Sequence, residues 1–351
     1  MPKDPAMSAD PTPALPPYPV VLVMIARDEA PRIDRALRSF APWVQRLLVL
    51  DTGSADDTLA IARAAGAEVH QGRWSGDFAA ARNQALALAG GAWHLVVDAD
   101  EWLVEGGDAL AALSRTAPDF VGALRVDSLQ DGDAGTAPSW ISRLLPGPVR
   151  YQGRVHEQPQ HALPVRRLPI HLGHDGYLAA ARAAKDGRNA ALLQQALAEQ
   201  PRDAYLWYQL GKDHDVYGRH AQALEAFGRA EALLGPGCPP WRHDLEVRSL
   251  HALKCCGRHA EGAERAEAGL RDWSHSPDFF FALGDLLLDW AAERPALADA
   301  LLPTIEQSWQ RCLELGERPD LEGAVAGRGS TLARRNLDLL HSMFPLTEAS
   351  R

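Results

Sequence analysis

The sequence predicts an α/β domain with a mostly parallel sheet, followed by an all-helical domain built from repeats. Three observations predict it. Short apolar runs alternate with helical patterns in the first part of the chain. After Asp119 the texture turns to short runs separated by Gly, Pro and Asp. From about Ala179 onward nearly every segment carries helical spacing, with an internal recurrence. The expected divisions are a disordered Pro-rich leader at residues 1–18, the α/β domain at 19–178 and the helical domain at 179–351.

Each element has its own reason. Val20 to Ile25 is a continuous β-branched and aliphatic run, too short for a typical helix and suited to a strand buried on both faces. Ile33, Ala36, Leu37 and Phe40 recur at helical spacing, so residues 31–40 read as a helix. Leu47 to Leu50 is a second strand. Ser54 to Ala65 is a second helix, with Ser54 as its N-cap. Ala67 to His70 is a brief third strand, Phe78 to Ala89 an Ala-rich helix, and Trp93 to Val97 a fourth strand running into Asp98. The runs from Val121 to about Tyr177 are expected to extend the sheet in antiparallel fashion.

In the last part, Trp207, Leu210, Gly211, Ala223, Phe227 and Ala230 fall at the relative spacings of the tetratricopeptide pattern. Small residues let paired helices approach, and the large ones fill the seam. Gly218-Arg219-His220-Ala221 recurs as Gly257-Arg258-His259-Ala260, and Leu283-Gly284 echoes Leu210-Gly211. Leu193, Ala196 and Pro201 resemble the second helix of an earlier unit. An ordinary helical bundle is the alternative.

Composition sets limits on function. The chain has 351 residues, and its formal net charge of -10 argues against nucleic acid as the main partner. The four cysteines, Cys238, Cys255, Cys256 and Cys312, all lie in the second half and suit neither a C-x-x-C knuckle nor a disulfide framework. Free buried thiols in a reducing cytosol are expected. No segment reads as a signal peptide or a membrane span, so the expected location is cytoplasmic, with room for peripheral contact at the inner face of the membrane. A homodimer is compatible with a repeat domain.

In open α/β sheets ligands bind at the carboxyl ends of the strands. There the sequence places Arg27-Asp28-Glu29, Asp51-Thr52-Gly53-Ser54 and Asp98-Ala99-Asp100-Glu101. Acidic groups gathered at one edge repel one another, so such a gathering points to function. Neither G-x-G-x-x-G nor a P-loop is present. Without a glycine cradle a diphosphate needs a metal bridge. Asp98 and Asp100, two apart in an extended segment, offer hard oxygens on one side, suited to Mg²⁺ or Mn²⁺. A D-x-D triplet alone is common on solvated turns, and Asp-Thr-Gly-Ser also reads as a capped loop. Position at the end of buried strands gives them weight.

The ordered motifs Met24-Ile25-Ala26-Arg27-Asp28-Glu29, Asp51 to Thr58, Asp77-Phe78-Ala79-Ala80-Ala81-Arg82-Asn83 and Asp98-Ala99-Asp100-Glu101 resemble those of family 2 glycosyltransferases with the GT-A, Rossmann-like fold. The resemblance spans about Val20 to Tyr177. It implies a metal-dependent, inverting transfer from a nucleotide-sugar, most often a UDP-sugar, with Mn²⁺ or Mg²⁺. By it Asp51 contacts the base, Asp98 the ribose or the metal, and Asp100 the metal. Arg27, Asp28 and Glu29 line the nucleotide pocket. Many relatives carry Lys-Asn where this chain has Arg27-Asp28. Arg82 either reaches a phosphate or forms a structural ion pair.

Such a transfer needs a base for the acceptor. Tyr151 to Gln158 resembles a His-Glu segment of the subgroup, which makes Glu157 the first candidate and His156 the second, as base or metal neighbour. His174, in a His174-x-Gly176-Tyr177 pattern, is a further metal ligand, a phosphate contact or a structural histidine. No cysteine accompanies it, which argues against zinc there. The repeat domain aids acceptor binding or self-association, and the acceptor is a saccharide, a lipid-linked glycan, or a peptide or protein. The competing reading is a non-catalytic repeat-based interaction module with a degenerate front domain. A nucleotidyltransferase is disfavoured by the missing phosphate loop.

Overall fold

The computed structural model describes residues 16–129, 136–175, 187–235 and 237–343. The expected leader therefore lies almost wholly outside the described residues, as do Gly176 and Tyr177. The chain divides into two units, Met1–Ala184 and Lys185–Arg351.

In the first unit the strands are β1 (Val20–Ala26), β2 (Arg46–Asp51), β3 (Glu68–Gln71), β4 (Trp93–Val96), β5 (Glu101–Glu105), β6 (Val121–Leu129), β7 (Thr136–Pro146) and β10 (Val165–His174). They form one sheet in the order β3-β2-β1-β4-β7-β6-β10-β5, with β8 (Arg150–Gln152) and β9 (Gln158–Gln160) as a separate hairpin. The pairs among β1, β2, β3 and β4 are parallel. The helices are α1 (Ile33–Phe40), α2 (Thr58–Ala64), α3 (Phe78–Ala89) and α4 (Gly107–Ala112).

The unbroken apolar run of β1 is buried on both faces. Val20, Leu22 and Met24 pack with Ile33, Ala36, Leu37 and Phe40 of α1, while Val21 and Val23 pack with Ala79, Ala85, Leu86 and Ala89 of α3. This is why the sequence shows continuous hydrophobicity instead of alternation. Alanines on α3 let that helix approach closely, and Asp77 caps it by accepting from Ala80 N at 2.8 Å.

Two expectations about the first unit are corrected. Helix α2 starts at Thr58, with Asp57 as its N-cap, and not at Ser54. The reason is local: Asp51 and Asp56 spend their carboxylates on the amides and hydroxyls of residues 53–58, which holds the segment as a loop. The later strands are also not uniformly antiparallel. β7 is antiparallel to β4 and β6, but β10 lies parallel to β6, start to start at Val165 and Val121. β10 runs opposite to β7 but pairs on the other edge of β6, which makes it parallel to β6.

In the second unit the helices are α5 (Arg188–Glu199), α6 (Ala204–Val216), α7 (His220–Ala232), α8 (Arg242–Cys255), α9 (His259–Trp273), α10 (Pro277–Glu293), α11 (Ala298–Leu315) and α12 (Thr331–Met343). The small residues of the repeat pattern meet aromatics of the next helix. A Cβ on Gly211 would lie 2.4 Å from the Phe227 ring, and one on Gly284 would lie 2.6 Å from Trp309 Nε1. Gly284→Ala is expected to lower stability by about 1–3 kcal/mol through overpacking; a urea unfolding midpoint equal to wild type would count against this packing. All four cysteines are free, but only Cys312 is buried, so the expectation of buried thiols fails for the other three. Among the described residues no helix is long and apolar enough to cross a membrane.

Candidate active site

β4 ends at Val96 and β5 begins at Glu101, yet three strands separate them in the sheet. Residues 97–100 therefore pass the ends of β7, β6 and β10. Arg143 of β7 and His174 of β10 meet them, and Ser128 of β6 stands behind His174. The segment is pinned by Glu101 N donating to Asp98 O at 3.0 Å, Asp98 N donating to Glu101 Oε2 at 2.9 Å, and Asp175 N donating to Asp100 O at 3.3 Å.

Around it lies a buried charge network. Arg82 of α3 donates from Nη2 to Asp98 Oδ1 at 2.8 Å and from Nε to Glu157 Oε1 at 2.5 Å. Arg143 donates from Nη2 to Asp98 Oδ2 at 2.8 Å and also to Glu101. Both guanidiniums are about one-tenth exposed or less, and Glu101 is 2% exposed. Burial works against the Asp98 charge, but the two arginines overcome it and hold the carboxyl far below the usual range. Burial pushes Glu101 up despite Arg143.

Asp100 sits beside this network and faces His174 Nε2 at 3.5 Å, while Ser128 Oγ lies 3.0 Å from His174 Nδ1. Burial disfavours a charged ring there, yet the hydrogen bond and charge of Asp100 raise the His174 pKa above the ordinary value. Four carboxylates (Asp98, Asp100, Glu101, Glu157) thus share the site with two guanidiniums and one imidazole, leaving an excess of negative charge.

At the neighbouring strand ends, Asp28 Oδ1 accepts from Ala55 N at 2.8 Å, and Asp28 N donates to Ser54 Oγ at 2.9 Å. Glu29 N donates to Thr58 Oγ1 at 2.8 Å, and Arg32 reaches Glu29 Oε2 at 3.3 Å. Arg27 is half exposed beside Asp28. Asp51 is 1% exposed and accepts from Gly53 N at 3.1 Å and Ser54 N at 3.1 Å, so its oxygens serve its own loop, the alternative allowed for this segment. Asp28 and His156 are the two non-glycine residues with left-handed backbone among the described residues, at φ 56° and 53°. Such a conformation costs free energy and persists only where the surroundings impose it, which happens most often at functional sites.

The structure brings Arg82, Asp98, Asp100, Glu157 and His174 together, and places Arg27, Asp28, Glu29 and Asp51 on the adjoining loops. It does not offer Asp98, Asp100 and His174 as one ligand set, because both Asp98 oxygens face guanidiniums. Asn83 proves to be a brace: it accepts from Tyr151 N at 2.8 Å and donates to Tyr151 O at 2.9 Å, clipping α3 to the β8–β9 hairpin that carries His156 and Glu157. Sequence reasoning missed Arg143 and gave Glu101 no role. The available signal was a lone arginine set against Ile141, Leu144 and Leu145 in a strand.

Residues 21–166 match the family model described as glycosyl transferase family 2. The chain is 39% identical over 211 residues to a TPR repeat-containing protein of Synechococcus elongatus, covering 55% of this chain and 51% of that one. It is 26% identical over 213 residues to the prophage-derived glycosyltransferase SunS of Bacillus subtilis, covering 58% and 50%. It is 29% identical over 270 residues to the succinoglycan biosynthesis protein ExoU of Rhizobium meliloti, covering 71% and 73%. The match spans about half the length of the first two relatives.

Proposed function

We propose, from the match of residues 21–166 to glycosyl transferase family 2, that the chain transfers a sugar from a UDP-sugar to a saccharide acceptor, with inversion at the anomeric carbon. The observation that carries the proposal is the excess of carboxylates at the ends of β4 and β10, beside loops able to hold a nucleotide. The saccharide is favoured because the relative matched over most of its length is a succinoglycan biosynthesis protein. A peptide or protein acceptor is the second reading, favoured by the helical repeats, which in such arrays offer extended binding surfaces.

Asp100 and His174 fit a divalent cation: an oxygen and an imidazole nitrogen 3.5 Å apart, in a site with surplus negative charge. Mn²⁺ or Mg²⁺ held there would neutralise charge on a departing diphosphate. Asp98, held between Arg82 and Arg143, orients the segment and is left to meet the ribose. Asp28, Glu29 and Asp51 shape the nucleotide loop, with Arg27 at its rim.

Glu157 Oε1 accepts from Arg82 Nε at 2.5 Å, so the carboxylate is spent on the guanidinium. We therefore assign Glu157 to holding Arg82, and His156 to taking the acceptor proton. A screen of UDP-sugars for Mn²⁺-dependent UDP release tests the reading. His156→Asn is expected to lower the transfer rate about 10²–10⁴-fold, the usual worth of a general base. A chain that releases UDP from no donor would instead fit a non-catalytic module.

A further inference from the structure

The second unit gathers a different constellation. His220 opens α7, and His251 and Cys255 lie one helical turn apart on α8. One donor atom from each lies within 4.8 Å of the others, and they are the only such three-residue group among the described residues. Cys255 Sγ is 3.6 Å from His251 Nε2, and the two imidazoles meet edge to face with centroids 5.4 Å apart.

Behind them stands Asp215, buried in the last turn of α6. Its Oδ1 lies 3.1 Å from His220 Nδ1 and 3.3 Å from His251 Nδ1. Its Oδ2 accepts from Arg248 Nη1 at 2.8 Å, which fixes the carboxylate. A carboxylate holding Nδ1–H leaves Nε2 with the lone pair on each ring. This is the second-shell arrangement that orients metal-bound histidines.

We propose that His220, His251 and Cys255 bind Zn²⁺, with Asp215 behind both histidines and water as the fourth ligand. Two imidazoles and a thiolate suit zinc and disfavour Mg²⁺ or Mn²⁺, which prefer oxygen. The ligands come from α7 and α8 and their brace from α6, so the ion pins three successive helices of the array. Tetrahedral zinc holds such donors roughly 3.3–3.8 Å apart. The longest separation must close by about 1 Å, which rotation of the exposed His251 and Cys255 side chains supplies. Zn²⁺ takes the thiolate sulfur, and the Cys255 proton passes to solvent. The sister turn lacks the set: Trp290 stacks beside His259 where His251 stands beside His220.

The test uses the full chain, stripped with chelator and titrated with Co²⁺ as a spectroscopic probe for zinc. One saturable thiolate-to-cobalt charge-transfer band is expected, displaced by Zn²⁺. Cys255→Ser should abolish the band, while Cys256→Ser keeps it. His220→Asn and His251→Asn should each weaken binding at least tenfold, and Asp215→Asn about 10–100-fold. Because Asp215→Asn also disturbs a buried ion pair, the decision rests on the exposed Cys255, with circular dichroism confirming the fold. A band that survives Cys255→Ser, or no band at excess Co²⁺, overturns the assignment.

Discussion

Arg143→Met is expected to lower the stability of the first unit by about 3–5 kcal/mol, the usual cost of removing one partner from a buried ion pair. The methionine fills a similar volume, so packing changes little. What changes is that Glu101, 2% exposed, loses its guanidinium, and Asp98 keeps only Arg82. The pH dependence follows from the sign of the Glu101 shift. Burial already raises its pKa, and Arg143 is what opposes that rise. Without Arg143 the folded-state value climbs further above the unfolded value of about 4.3. A carboxyl raised in the fold destabilises when charged, so the deficit is largest at neutral pH. It shrinks as pH falls through the folded pKa toward about 4.3. Denaturant melts of both proteins between pH 7 and 4.5 check this. A deficit that is constant with pH would mean the loss is one of packing.

Asp100→Ala is expected to leave the fold intact and to lower turnover about 10³-fold or more. Lewis-acid stabilisation of a departing diphosphate is worth several kcal/mol, and each 1.36 kcal/mol is a factor of ten. Asp100 faces His174 Nε2 at 3.5 Å, while Asp98 holds the guanidiniums of Arg82 and Arg143. Its removal takes away the carboxylate that raises the His174 pKa, and that ring can then lose its proton and stay neutral. Steady-state rates with Mn²⁺ varied would show the loss in kcat. Wild-type rates in the variant would take Asp100 out of the chemistry.

Much of this was legible in the sequence because the signals were local. The two-faced burial of β1 shows as an unbroken apolar run, and Gly211 and Gly284 mark close helix approaches whose partners are aromatic. The motif around Arg82 and Asn83 also stood out, although its parts divide differently from expectation: Arg82 reaches the site, whereas Asn83 braces a hairpin. What was not legible depends on pairing between distant segments. Arg143 gains its role only when β7 inserts between β4 and β6, an order no local pattern encodes. Asp98 looked like a metal ligand because its spacing from Asp100 suits one. The two arginines that claim its oxygens come from α3 and β7, 16 and 45 residues away. The start of α2 was misplaced because Asp51 and Asp56 compete for the amides a helix would have used.

A nucleotide diphosphate held through a divalent cation is the proposed occupant of this site. UDP binding by calorimetry, with Mn²⁺ and then with chelator, tests it most directly in wild type and Asp100→Ala. Mn²⁺ is expected to tighten UDP binding at least tenfold in wild type and to have no effect in the variant. Equal affinity with and without Mn²⁺, or no UDP binding in either condition, would contradict it.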